Sequence, residues 1–392
     1  MDYSMLHTPE GVRDIYNEEI ETRDVIIGRL KGLVKSYGYD NIKTPTFEFL
    51  SVYYKDITLK RPKDLYKFFD NGGNTLVLRP DFTPSIARAA SKYFTTERTV
   101  RLFYEGNVFA NNKRYRGRLT EMCQFGCELM GEKSIGADAE IIAIVINSLK
   151  ACNIDDFVIS IGHANIIKEL IALGEFNAEE TDVITGYVNN RNIFDLEKHL
   201  NDKGVSDELI KLFVLCNKMY KPGSDKWNEL IGYASKYDAI LEPLKYLDDL
   251  AKVLESYGVS DYISFEPGSV SEFDYYTGIT FAGYASKIGE PIAKGGRYDN
   301  LLSNFGQDKP AIGFGIFVEE MQMALCKQGI ELNAKVDKTV VIYSPDKLNE
   351  AIKKANEIRQ DGKVCELIAD NDAVSDIKAL YDEDNVTVIE LK

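Results

Sequence analysis

No apolar run in this chain approaches the roughly 20 residues that cross a bilayer. There is no CxxC pair, and the 392 residues include only three histidines and one tryptophan. Positive charge is also short: 47 Lys and Arg stand against 62 Asp and Glu, a formal net charge of −15. Each shortage excludes something. The opening MDYSMLHTPEGVRD has no basic segment followed by an apolar one, so it does not read as a secretory signal. The expectation is a cytoplasmic protein with no membrane contact. The cysteines Cys123, Cys127, Cys152, Cys216, Cys326 and Cys365 are scattered. Cys123 and Cys127 have ligand-like spacing, yet no histidine is near them in sequence. Buried free thiols are therefore expected, with no metal site and no cofactor. Acidic balance speaks against nucleic acid, whose phosphates need a basic face. A small molecule or a protein partner fits better.

What is present centres on Arg101 to Gly131, RLFYEGNVFANNKRYRGRLTEMCQFGCELMG. Arg101–Phe109 is rich in aromatic and β-branched residues and predicts a strand. Ala110–Arg118 predicts a loop, and Leu119–Glu128 a returning strand. Side chains alternate faces along a strand. Glu121, Cys123, Phe125 and Cys127 then share one face, and Met122, Gln124, Gly126 and Glu128 the other. The second face carries an amide and a carboxylate, with a glycine between them that leaves space for a small polar, cationic ligand. A solvated strand face would read the same way.

The rest of the chain reads as α+β. Glu18–Tyr37 has apolar residues at helical spacing, with Gly38 as its C-cap. Leu65–Asp81 predicts a hairpin about Asn71-Gly72-Gly73-Asn74. Thr83 is expected as the N-cap of a helix that has Pro84 in its first turn. Ala137–Cys152 predicts a long helix and Phe157–Gly162 a strand leading to His163, which is assigned no chemistry. Ala164–Gly258 is helical throughout, and Ile263–Tyr284 returns to the sheet. Lys338–Lys392 alternates strand and helix as a small α/β unit, with one helix over Ala373–Tyr381. The expected division is a core of 1–163 with 259–325, a helical insertion 164–258 and a C-terminal domain 338–392.

The central stretch resembles motif 2 of class II aminoacyl-tRNA synthetases, in its histidyl-tRNA synthetase form. That family opens the loop with Phe-Arg-x-Glu, whose arginine grips the ATP α-phosphate. Here the run is Phe109, Ala110, Asn111, Asn112. Gly117 and Arg118 match the later loop, and Gln124 to Glu128 match Gln-x-Gly-Cys-Glu. The run Leu78-Arg79-Pro80-Asp81-Phe82-Thr83 resembles Leu-Arg-Pro-Glu-x-Thr, whose carboxylate and hydroxyl bind the α-ammonium of histidine. The run Asp274-Tyr275-Tyr276-Thr277-Gly278 resembles an element specific to histidyl-tRNA synthetases. Its arginine position holds Ser271, while Tyr276 matches the tyrosine that meets the imidazole. One of the two adjacent tyrosines is expected to pack in the core. Lys294–Leu302, KGGRYDNLL, resembles the glycine-rich element whose backbone approaches the amino acid. Pro310–Met321 resembles motif 3, with Glu319-Glu320 in place of Glu-Arg.

This resemblance implies a class II synthetase-like antiparallel sheet flanked by helices, and a homodimer through that core. It implies a histidine pocket of Asp81, Thr83, Gln124, Glu128, Tyr275 and Tyr276. The three phosphate positions Ala110, Ser271 and Glu320 imply no useful adenylate formation, hence no catalytic residues of this chain's own. A synthetase body with an ATP-incompetent site and a short tail resembles the family of ATP phosphoribosyltransferase regulatory subunits. Members of that family are noncatalytic and assemble with a short-form catalytic chain in histidine biosynthesis. They activate that chain and take part in feedback by histidine, without tRNA. A free-standing histidine sensor and an active synthetase are the alternative readings.

Overall fold

A computed structural model describes residues 6–54, 65–96, 98–110, 119–269, 275–332, 337–370 and 385–392. Asn111, Asn112, Gly117, Arg118, Ser271, Asp274 and the helix expected at Ala373–Tyr381 lie outside the described residues. Two compact units divide the chain, one Met1–Ile15 with Arg23–Glu331, the other Tyr16–Thr22 with Leu332–Lys392.

The first half of the larger unit contains strands β1 (Asp40–Asn41), β2 (Phe47–Phe49), β3 (Lys67–Phe69), β4 (Thr75–Leu78), β5 (Val100–Phe109), β6 (Glu121–Met130) and β7 (Phe157–His163). Its second half contains β8 (Ile263–Phe265), β9 (Ile279–Ala285), β10 (Ala293–Arg297) and β11 (Ala311–Phe317). Eight of these form one sheet in the order β1-β5-β6-β11-β10-β9-β7-β8. Its interior pairs are antiparallel, as expected, while both edge pairs, β1 with β5 and β7 with β8, are parallel. Strands β2, β4 and β3 make a separate small sheet. Its tight turn is organised by Asp70, whose Oδ1 accepts the N–H groups of Gly72 (2.9 Å) and Asn74 (2.8 Å).

Helix α1 (Glu18–Ser36) buries Ile26, Ile27, Leu30 and Val34, a stripe at helical spacing. It ends where Gly38 adopts φ +80°, the left-handed turn that glycine makes without strain. After the short α2 (Ser51–Tyr54) comes α3 (Thr83–Tyr93). Phe82, not Thr83, takes its N-cap position, without a side-chain cap. Thr83 is instead the first helical residue, and its hydroxyl is directed elsewhere. Helix α4 (Ile135–Ala151) starts at Ser134, whose side chain accepts the N–H of Ala137. It is apolar nearly all round and is buried accordingly.

The stretch expected to be helical throughout is six helices: α5 (Ala164–Leu173), α6 (Ala178–Asn189), α7 (Ile193–Asp202), α8 (Asp207–Cys216), α9 (Asp225–Ala234) and α10 (Asp238–Ser256). Side-chain caps at His163, Asn177, Asn192, Ser206 and Ser224 start the first five. Each satisfies an orphan backbone donor, which is how the sequence divides a continuous helical signal. Fully buried Trp227 packs on Phe265 (centroids 4.8 Å apart) and donates to Asp248 (2.6 Å), tying the insertion to the sheet edge. Helix α11 (Val318–Gln328) follows β11. The smaller unit contains β12 (Lys338–Tyr343), α12 (Leu348–Gln360), β13 (Val364–Ala369) and β14 (Val386–Leu391). Its sheet is parallel, with β12 central, as an α/β unit requires.

Five cysteines are buried free thiols, whereas Cys326 is exposed. Among the described residues no helix is long and apolar enough to cross a membrane.

A buried ion pair ties the larger unit together. Arg297, at the end of β10, gives both Nε (2.8 Å) and Nη2 to Asp138 Oδ1 on α4. Asp138 is wholly buried and Arg297 is 6 % exposed, so neither charge has water as a substitute partner. Arg297→Ala would strand the Asp138 carboxylate, and the expected loss is about 3–5 kcal/mol of unfolding free energy. Urea denaturation of the full chain measures it.

Candidate functional site

Strand β6 presents the expected alternation. Register with β11 sets Gly313 opposite Glu128, Gly315 opposite Gly126 and Phe317 opposite Gln124. The glycines do not leave open floor. A Cβ on Gly313 would collide with the Glu128 carboxyl, one on Gly315 with the Gln124 amide, and one on Gly126 with the Tyr104 hydroxyl. Gly313 and Gly315 are sockets for the chain's own side chains, while at Gly126 the Phe314 carbonyl stands closer still than Tyr104. A Cβ on Gly296 would meet the Tyr276 ring and the Ile279 carbonyl, and one on Gly295 the Phe281 ring and the Gly313 carbonyl.

Glu128 is 1 % exposed. Its Oε1 accepts the Thr83 hydroxyl (2.7 Å) and its Oε2 the Tyr298 hydroxyl (2.5 Å). Because Thr83 does not cap its own helix, its hydroxyl can make this contact. Burial pushes the Glu128 carboxyl up to about 8; the two hydroxyl bonds oppose that shift and the Asp81 charge adds to it. Asp81 is buried on the loop before α3. Burial raises its carboxyl too, against bonds from the Phe82 N–H, Thr83 and the Tyr275 hydroxyl, the last at 3.4 Å.

That loop is fixed from behind by Arg79. Its guanidinium donates to the carbonyls of Asn107 (2.7 Å), Thr44 (3.1 Å) and Pro45 (3.2 Å) and lies 3.9 Å over the Phe82 ring. Arg79 is thereby committed to backbone.

Tyr275, Tyr276 and Tyr298 form one aromatic group, with Tyr275 4.8 Å from Tyr276 and 5.8 Å from Tyr298 between ring centroids. Tyr275, expected as either ligand contact or core, reaches a carboxylate and packs in the core as well. Gln124 lies further along β6 on the same face as Glu128. Its buried Oε1 has no hydrogen-bond partner among the described residues. A buried acceptor left unpaired costs about 1–3 kcal/mol, so this atom is a ready place for a donor.

The candidates Asp81, Thr83, Glu128, Tyr275 and Tyr276 therefore gather in one region, with Gln124 extending it along β6. Sequence reasoning missed Tyr298 and Tyr104. Tyr298 lay inside the glycine-rich element already singled out, but nothing local pairs it with Glu128. Tyr104 stacks on Phe82 at 4.3 Å.

The positions matched to phosphate-binding arginines are different in character. Ala110 follows β5, its N–H bonded to Thr120 O (2.9 Å). Glu319 and Glu320 open α11 as first-turn acids. Both Glu319 oxygens accept the N–H of Cys123 (2.9 Å each), capping β6 just beyond its last pair with β11. Glu320 is half-buried. Among the described residues no group of three or more His, Cys, Asp or Glu side chains gathers as a metal site.

A family model described as histidyl-tRNA synthetase matches residues 11–321. A protein of Ruminiclostridium cellulolyticum named ATP phosphoribosyltransferase regulatory subunit is 33 % identical over 400 residues, covering 99 % of this chain and 95 % of its own length. Among solved structures, an ATP phosphoribosyltransferase regulatory subunit/histidyl-tRNA synthetase from Bacillus halodurans superposes with a TM-score of 0.84 at 30 % identity, covering 99 % of this chain and 98 % of that one. A histidyl-tRNA synthetase from Nostoc shares the fold, with a TM-score of 0.79 at 19 % identity over 98 % of this chain and 91 % of that one.

Two outcomes follow from the geometry. The folded chain keeps a proton on Glu128 that the unfolded chain releases between about pH 4.5 and 8. Raising pH through that window therefore favours unfolding. Stability contributed by Glu128 is full below pH 4.5 and lost as pH approaches 8. Glu128→Gln removes this slope, so its urea midpoint gains on the wild type between pH 5.5 and 8.5. Gly313→Ala drives a methyl into the Glu128 carboxyl and is expected to cost about 1–3 kcal/mol in the same assay.

Proposed function

The chain belongs to the family of ATP phosphoribosyltransferase regulatory subunits, built on the histidyl-tRNA synthetase fold, and from that membership we propose that it is the noncatalytic subunit of an ATP phosphoribosyltransferase in histidine biosynthesis. It works with a short-form catalytic chain, raises that chain's activity, and mediates inhibition by histidine. It acts as a homodimer through its synthetase-like core, in the cytoplasm, and without tRNA.

The observation that carries this reading is an asymmetry. Groups suited to a cationic amino acid are gathered around Glu128 and Asp81, while the matched phosphate positions are Ala110 and Glu320. Amino-acid activation develops charge on the triphosphate, and removal of one preorganised donor typically costs about 2.7–4 kcal/mol. An anion at Glu320 repels phosphate. Own-site adenylation is therefore absent in this proposal. Histidine suits what remains: its ammonium pairs with Asp81, and its imidazole lies between Glu128 and the tyrosines. Gln124 Oε1 accepts one of its donors. Assembly is supported by Phe47, Phe49 and Phe68, which share one face of the small sheet from its two edge strands and are 37–53 % exposed. Clustered aromatics at a surface suit a protein contact.

The test is phosphoribosyl-ATP formation by a cognate short-form catalytic chain, with and without this protein and then with histidine. A rise in rate that histidine reverses is expected, as is loss of that reversal in Glu128→Ala. ATP–pyrophosphate exchange dependent on histidine is expected to be absent. Exchange at synthetase rates, or no activation of the cognate chain, overturns the proposal.

A further inference from the structure

The two tyrosines that flank the acids are held by a backbone mesh. Thr277 N–H donates to Arg297 O (2.8 Å), and the Thr277 hydroxyl accepts Asp299 N–H (2.9 Å). Arg297 Nη1 reaches Asp299 Oδ1 (3.1 Å) and Glu132 O (3.1 Å). Tyr298 sits between Arg297 and Asp299, and Tyr276 directly precedes Thr277. Their placement therefore follows that of Arg297.

The helical insertion enters this mesh at two points. Tyr246, on α10, donates to Asp138 Oδ2 (2.6 Å), the same carboxylate whose other oxygen holds Arg297. Lys168, on α5, donates Nζ to the carbonyl of Tyr276 (3.1 Å). The insertion has apolar anchors besides these two contacts. Helix α10 already buries Ile240, Leu244, Leu247, Leu250 and Leu254, and α5 buries Ile166, Ile167 and Leu170. The Lys168 contact ends on Tyr276 itself, and the Tyr246 contact ends on Asp138, whose partner Arg297 directly precedes Tyr298.

We infer that Tyr246 and Lys168 are positioning residues of the histidine pocket, through which its occupancy is coupled to helices α5 and α10. This rests on the reading that the pocket takes histidine. Coupling is reciprocal, so what a ligand tightens in the insertion, the insertion tightens for the ligand.

The experiment uses the full chain and histidine itself, with calorimetric titration at 25 °C and amide hydrogen exchange. Wild type is expected to bind histidine and to show slower exchange across Asp238–Ser256 when bound. Tyr246→Phe and Lys168→Met should each weaken binding by roughly 3- to 10-fold, within the range of coupling residues remote from a ligand. The ligand-dependent protection of α10 should shrink in Tyr246→Phe, and Lys168→Arg should bind as wild type does. Should Tyr246→Phe fail to fold, the two Lys168 variants and wild-type exchange decide alone. Wild-type binding without a change in α10 exchange, or variants that bind as wild type does, overturns the coupling. A wild type that does not bind histidine overturns the pocket reading and the coupling together, before any variant is made.

Discussion

A guanidinium taken out of water must be met by acceptors on every side, and the larger unit is arranged to do that for Arg297. Asp138 supplies one side, Asp299 and the Glu132 carbonyl another. The acceptors come from α4, from the turn before it and from the loop after β10. Displacing any of these pieces would leave a buried donor or acceptor unpaired, while the net stability gained from a buried pair is small. Tyr276 and Tyr298, on the pocket side, take their positions from this arrangement.

On the opposite face of the sheet, two acids are buried without a basic side chain bonded to either among the described contacts. Thr83, Tyr275 and Tyr298 soften their burial but carry no charge. Burial pushes both carboxyls toward their protonated forms, and a cation would offset that. The arginine nearest in sequence, Arg79, is bound to backbone carbonyls. The site is therefore biased toward ligands that bring positive charge, whereas the first turn of α11 presents acids.

Local patterns were legible. Alternation in β6 placed Gln124 and Glu128 on one face before any partner strand was known. The buried stripe of α1 and its glycine stop could be read directly. Thr83 misled because a threonine before a proline looks like a cap; a long-range carboxyl claimed its hydroxyl and left Phe82 at the helix boundary. The sockets under Glu128 and Gln124 were invisible because they depend on the register between β6 and β11, across roughly two hundred residues. Tyr298 and Tyr246 were missed for the same reason. Each matters through one distant oxygen, and no periodicity encodes such a pairing.

The glycine sockets have a consequence for descent. Gly313 and Glu128 fit as a matched pair, as do Gly315 and Gln124. A side chain cannot appear at the glycine until its occupant has shortened, and a shortened occupant leaves a void until the glycine changes. Either single step passes through a worse-packed intermediate. A lineage that had ceased to use this face for its ancestral chemistry would still be held to the same four residues by packing alone. Similarity across these strands is thus a record of sheet geometry as much as of shared activity.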